Sequence, residues 1–473
     1  MKRQLTFTAA AAVFALAALQ GHAAADGAPS PSDSASAGSA APAEAPPATW
    51  PPSGTAIAGA STTADAPPME PATTYKDTIK PDETRIYGVT LDAKSSAYVS
   101  AYALPPAGSR VTYGDGIELK LQSADGSDCD SRDETFDTDG AARPIGSAVA
   151  RLMGVDSDCQ EANQYTLSVH RKSAATSDPG AWPLELRFVL EPALKPGTTA
   201  QPAPNFGSAS PTPLTAGTPR QAHGGTSFTT AAAVRTGIWK DRVLPGETRF
   251  YKVPVDWGQQ ATVFSDFSSA PVNGDQSTYV SGGVRLTSYS PVRELIDSSD
   301  NAYSGSPTSL NERLAPVSYA NRAASDSDVV RVRYAGWYYF AVSVHPDVAH
   351  AVTGAVPVTL RVDVKGTAQA APAYDGDPGT AGIGIDAHDV SAADGSPTDG
   401  AGSSSGTSGM RFLAFAALGA GTVLLLTLAV WYAAARRRAG RPVDAVPQQA
   451  GAQQAGSQQA GSQQSGYGPP PAW

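Results

Sequence analysis

The chain has 473 residues, with 44 acidic against 34 basic side chains and a formal net charge of −10. That acidic balance, with no basic stripe before the C-terminal arginines, excludes nucleic acid as a partner. Its 46 glycines and 39 prolines are concentrated with Ala, Ser and Thr in stretches that bury too little apolar surface to offset the entropy of ordering.

In chain order, residues 1–25 read as a signal peptide. Lys2 and Arg3 form a basic start, Leu5 to Leu19 a short apolar core, and Ala23-Ala24-Ala25 a small-residue exit. An uncleaved second anchor is the competing reading. Residues 26–72 follow as an Ala/Pro/Ser linker expected to be disordered.

The first block, 73–192, is rich in Val, Leu, Tyr and Trp and has the size of one small domain. It holds both cysteines of the chain, Cys129 and Cys159. In a compartment outside the membrane an even count reads as a disulfide, and no Cys-His signature supports a catalytic thiol instead. Around Cys129 the sequence crowds Asp125, Asp128, Asp130, Asp133, Glu134, Asp137 and Asp139. Hard cations take oxygen ligands from such loops, which makes Asp130, Asp133, Asp137 and Asp139 candidate calcium ligands. No Glu occupies the closing position, so a solvated acidic loop is the competing reading; no other cofactor is expected.

Residues 193–236 carry Pro-Ala-Pro and Pro-Thr-Pro without strong apolar periodicity. They read as a linker that few contacts cross, so that the blocks on either side fold separately.

The second block, 237–366, repeats the first. YKDTIKPDETRIYGVTLD (75–92) and WKDRVLPGETRFYKVPVD (239–256) match at nine of eighteen positions at a constant offset of 164, including Asp77/Asp241, Glu83/Glu247, Arg85/Arg249 and Tyr87/Tyr251. Leu186-Arg187 pairs with Leu360-Arg361 further on, and Leu167–His170 is matched with Val342–His345, which puts His170 and His345 at the ends of equivalent strands. Aligned from Gly116 and Gly283, Asp130 and Asp133 fall opposite Asp297 and Asp300. Duplication explains this better than chance. The segments 249–255, 336–344 and 357–364 alternate with period 2 or are aromatic and β-branched, as strands are. Pro81-Asp82 and Pro245-Gly246 supply turns before the shared strand. The expected fold class is all-β: two tandem antiparallel β-sandwich, jelly-roll-like domains with disordered linkers and one transmembrane helix.

One element set carries a family resemblance. Val243-Leu244-Pro245-Gly246-Glu247, then Arg249–Val253, then Asp256-Trp257-Gly258, then Gln260–Val263 resembles the bacterial pre-peptidase C-terminal domain. Tandems of such domains look like the filling of actinobacterial membrane-anchored surface proteins of this layout. The first copy departs from the pattern, with Asp82 in place of the turn glycine and Lys94 in place of Gly258. The resemblance implies a jelly-roll-like sandwich used for binding or spacing rather than catalysis, and some members hold calcium.

Residues 367–410 read as a disordered Gly/Ser/Asp stalk. The run Phe412 to Ala433, within a transmembrane segment 411–434, has no charge and exceeds the roughly 20 helical residues that span a ~30 Å hydrocarbon core. Arg436, Arg437, Arg438 and Arg441 follow it, against Arg411 before it, so the N-terminal side is expected outside and the tail 435–473 in the cytoplasm. The tail, rich in Gln, Gly and Pro, reads as solvated, with a polyproline docking segment as the alternative.

No His-Glu-x-x-His, nucleophile elbow or phosphate loop occurs. The expectation is a non-enzymatic, single-pass type I protein of the cell membrane. Its partners would be the lipid bilayer and a surface protein or cell-wall glycan, with Trp257 and Trp337 as candidate binding aromatics. The rival classes are a membrane-anchored hydrolase with an unrecognised site and a purely structural stalk.

Overall fold

The computed structural model describes residues 46–155, 158–207, 209–274 and 279–394. The signal peptide, the apolar run 411–434 and the tail lie outside the described residues. Among those described, no helix is long and apolar enough to cross a membrane.

The described residues form two all-β domains of ten strands each. The first holds β1 (Thr55–Ala56), β2 (Pro68–Met69), β3 (Thr73–Ile79), β4 (Thr84–Leu91), β5 (Ser96–Ala103), β6 (Gly116–Gln122), β7 (Asp128–Thr135), β8 (Ile145–Arg151), β9 (Asn163–Lys172) and β10 (Trp182–Glu191). Sheet I has the order β1-β3-β10-β5-β8 and sheet II the order β2-β4-β9-β6-β7. The second holds β11 (Arg220–Gln221), β12 (Ala232–Ala233), β13 (Gly237–Val243), β14 (Thr248–Val255), β15 (Gln260–Phe267), β16 (Val280–Tyr289), β17 (Leu295–Tyr303), β18 (Thr308–Arg313), β19 (Gly336–Val344) and β20 (Val356–Lys365). Sheets III (β11-β13-β20-β15-β18) and IV (β12-β14-β19-β16-β17) repeat the first two strand for strand. Within each domain the alternating strands turn one face inward. Tyr87, Val89, Leu119, Val169, Leu186 and Phe188 fill the first core, and Tyr251, Val253, Leu286, Phe340, Val342 and Leu360 the second.

The ladders are antiparallel except at one edge of every sheet, where a two-residue strand runs parallel to its neighbour. These edge strands lie in 46–72 and 209–236, which composition assigns to linkers. They are fixed by the repeated motif. Asp77 accepts from the Tyr87 hydroxyl (2.8 Å) and the Gly59 N–H (2.8 Å); Asp241 accepts from the Tyr251 hydroxyl (2.7 Å) and the Gly224 N–H (2.8 Å). Arg85 and Arg249 donate to the carbonyls of Gly59 and Gly224 (2.8 and 3.1 Å). A Cβ at Gly59 or Gly224 would come within 2.7 or 2.8 Å of the tyrosine ring, so only glycine passes there. The identical Asp, Arg and Tyr thus clamp an incoming segment whose own sequence shows little. The stalk read from composition is likewise folded as far as residue 394: Tyr374 and Ile383 join the second core, and a short helix, Ala387–Ala392, closes the described chain.

The ladders also test the internal alignment. Asp130 and Asp133 face Leu121 and Glu118 as Asp297 and Asp300 face Ser288 and Arg285, which matches the register read from Gly116/Gly283. The histidine match does not hold. His170 pairs with Thr84 and Ser343 with Thr248, so His170 corresponds to Ser343 and His345 lies two residues beyond. A shift of two keeps every side chain on its face, so the alternation could not reveal it.

The domains are not separate bodies. Every residue of β5 is buried because one of its faces serves the first core while Tyr98 and Tyr102 turn towards the second domain. Phe228 stands among Trp50, Tyr102, Phe250, Tyr289 and Tyr339, with ring centroids 5.0 to 5.2 Å away. Buried charges cross the same interface. Glu185 accepts from Arg293 (2.8 Å), the Trp50 indole (3.1 Å) and Ser53. Glu191 accepts from Arg322 (2.8 Å) and the hydroxyls of Tyr98 (2.6 Å) and Tyr374 (2.8 Å). Glu294 takes Arg132 (3.0 Å) from the first domain and Arg333 (2.7 Å) from its own. The expectation that few contacts join the blocks is therefore overturned.

Candidate functional site

Among the described residues the interface leaves a cleft of about 200 Å³ between the outer face of sheet IV and the connection from β7 to β8. Phe250 of β14, Arg285 and Tyr289 of β16 and Ser343 of β19 project from the sheet because they alternate with core residues. Glu134, Asp137 and Arg143 face them from the first domain.

The electrostatics are uneven. Arg285 donates to Asp137 (2.6 Å) and lies 3.4 Å from Asp139 and from Asp300. Arg143 reaches Asp137 at 3.3 Å; its burial, then the neighbouring Arg285, lower its pKa. Burial raises the pKa of Tyr289. Glu134 differs from its neighbours. Its carboxylate makes no hydrogen bond or ion pair with the described residues, and burial raises its pKa against the pull of Arg331, Arg132 and Arg143.

The disulfide is present: Cys129 on β7 joins Cys159 with Cα atoms 5.7 Å apart. The candidate calcium ligands are not gathered around one point. Asp130 bonds Arg132 and the Ala150 N–H, Asp133 pairs with Lys172, Asp137 serves the two arginines above, and Asp139 accepts the Ala141 N–H (3.0 Å). Each carboxylate already has a cation or donor that a metal would have to displace. Among the described residues, the side chains close enough to share an ion are Asp386, His388 and Asp389, all near the surface. Asp386 and Asp389 are already committed to capping the last helix.

Trp257 is packed into the second core at 4 % exposure, on the border of a groove of about 430 Å³ between 198–202 and 369–373. Trp337 is half-buried. Its indole donates to Asp389 (3.0 Å) and its face carries the Lys252 ammonium at 4.6 Å. His345 holds the domains together by donating to the Asp139 carbonyl (2.9 Å) while its other nitrogen accepts the Asp347 N–H. Sequence reasoning missed Arg143, Arg285 and Tyr289, and took Glu134 only as one of an acidic group. Opposite alignment of Asp133 and Asp300 was the available signal, since Arg285 pairs with Asp300 across the ladder.

No family model matches the chain, and no curated protein matches it. Solved structures to which the chain is similar include the pre-peptidase C-terminal domain of collagenase from Bacillus anthracis (16% identity, TM-score 0.17, 26% of this chain and 94% of that one). Another is the tandem CBM22-1-CBM22-2 domain of Xyn10C from Paenibacillus barcinonensis (10% identity, TM-score 0.17, 62% and 86%). A third is an uncharacterised protein from Burkholderia cenocepacia (10% identity, TM-score 0.17, 61% and 81%). Likeness at these scores carries no argument about function.

Proposed function

We propose that this chain is a non-catalytic binding or scaffolding protein of the cell surface, displayed outward on the single helix 411–434 after loss of residues 1–25. In this reading a pair of sandwiches of the pre-peptidase C-terminal type presents one shared site to a cell-wall glycan or a surface protein. The observation that supports it most is the interdomain cleft. The residues that recur between the copies serve the Asp–Tyr–Gly clamp, the turn before it and the core, whereas Glu134, Phe250, Arg285 and Tyr289 of the cleft have Asn301, Ile86, Glu118 and Gln122 at the equivalent positions of the other copy. The arginine asymmetry around the apolar run supports the orientation. The test is to express the full chain with a C-terminal tag in a Gram-positive host. Protease on intact cells should remove the sandwiches and spare the tag, and the solubilised chain should co-sediment with purified cell walls. A tag digested on intact cells, or a chain that sediments with neither cell walls nor a surface protein, overturns the proposal.

A further inference from the structure

We infer that the interdomain cleft binds one neutral, polyhydroxylated ring, a single sugar unit of a larger glycan; this rests on the binding role proposed above. The first support is Glu134. Its half-buried carboxylate has no donor among the described residues, so its lone pairs stand open on the cleft wall to the hydroxyl donors of a ligand. The second is the charge around it. Arg143 and Arg285 flank the cleft and are matched against Asp137 and Asp139. A cationic ligand would meet two guanidinium groups, and an anionic one Glu134 beside Asp137. Hydroxyl groups suit both, since each donates to a carboxylate and accepts from a guanidinium. The third is shape. A volume of about 200 Å³ is below the ~300 Å³ at which drug-sized pockets begin, and Phe250 with Tyr289 supplies an apolar wall for the C–H face of a ring.

The test uses the full chain in a detergent without a sugar headgroup. Glucose and N-acetylglucosamine are the neutral probes, glucuronate the anionic one and glucosamine the cationic one, read by saturation-transfer NMR. The neutral sugars should give the strongest transfer. Glu134→Leu should weaken their binding at least tenfold while leaving the melting temperature equal or higher, because the carboxylate it removes makes no side-chain contact that holds the fold. Ser343→Phe, which fills the cleft from sheet IV, should also abolish transfer and decides the matter if the first variant does not fold. No transfer from any probe, stronger transfer from a charged one, or transfer indifferent to both variants overturns the inference. If the sugars fail while the chain still co-sediments with cell walls, the binding role stands and the ring does not. If both fail, the role falls as well.

Discussion

Glu185, Glu191 and Glu294 are buried carboxylates whose oxygens are all engaged. Removing one partner of such a pair strands the other, at a cost of about 3–5 kcal/mol, whereas replacing both with apolar groups is often neutral. Glu191→Gln should therefore lower the melting temperature by many degrees, and Glu191→Gln with Arg322→Met, which removes the stranded guanidinium and keeps an acceptor for the Tyr98 and Tyr374 hydroxyls, should recover part of the loss. Equal melting of the single variant and the parent would show the pair to be idle. Glu312 is the contrasting case. It is buried with only the hydroxyls of Ser288 and Ser299 as donors, and burial, with Asp297 nearby, raises its pKa from 4.5 to about 8. Between those values the unfolded chain has released a proton that the folded chain keeps, so stability falls as pH rises from about 4.5 to about 8. Glu312→Gln should remove that slope and melt several degrees above the parent at pH 8.5, with little difference at pH 4.5. Identical pH profiles for the two proteins would count against it. Neither role was legible beforehand. Glu185 and Glu191 occupy alternate positions of β10 that face water in an isolated sandwich, and only the second domain turns that face into an interior.

At the scale of elements, the strands with period-2 alternation were readable, because burial of one face leaves its mark on the sequence. The two-residue edge strands were not, since two residues have no period and their neighbours are Ala, Pro and Thr. The turn substitution noted in the first copy proves harmless. Asp82 takes φ +54 where Gly246 takes +84, and Asp is among the few side chains that tolerate the left-handed region. The disulfide does for β7 what packing does in the other copy: by ladder register Cys129 corresponds to Ile296, which is buried at 3 %. A bridge closing 30 residues contributes about 3.5 kcal/mol on a chain-entropy estimate. Reduction should lower the melting temperature, with β7 and its neighbours losing amide protection first in hydrogen exchange. Protection lost evenly over both domains would mean that the bridge does not act locally.

For the whole molecule, the interface predicts cooperativity. Residues 237–366 alone lack β11, β12 and Phe228, and expose Phe250 and Tyr289 together with the stranded charges of Arg293 and Arg322. That fragment should aggregate or melt without a sharp transition, whereas 46–394 should unfold in one calorimetric transition. A sharp, reversible melt of 237–366 would return the two-body picture that linker composition suggested. Proline-rich sequence misled here because a chain without its own core can still be held by a folded surface: Arg313 bonds the carbonyls of Gly207 and Ala209, and Arg361 that of Leu214.

The contact between the copies is head-to-tail. Sheet I of one meets sheet IV of the other, so a matching pair of faces, those of sheets II and III, is left at the two ends. Contacts of this kind between like modules generate open filaments unless something stops them. The register shows what does. On β15 and β20 the counterparts of Tyr98, Tyr102, Glu185 and Glu191 are Thr262, Asp266, Thr359 and Lys365, and on sheet II the counterparts of Phe250 and Tyr289 are Ile86 and Gln122. Neither set of counterparts carries the aromatic rings of the joined faces, Glu185 and Glu191 have no acidic counterpart, and Leu214 lies against one end face through Arg361. A third module stacked in the same way as the second would therefore meet none of the residues that join these two.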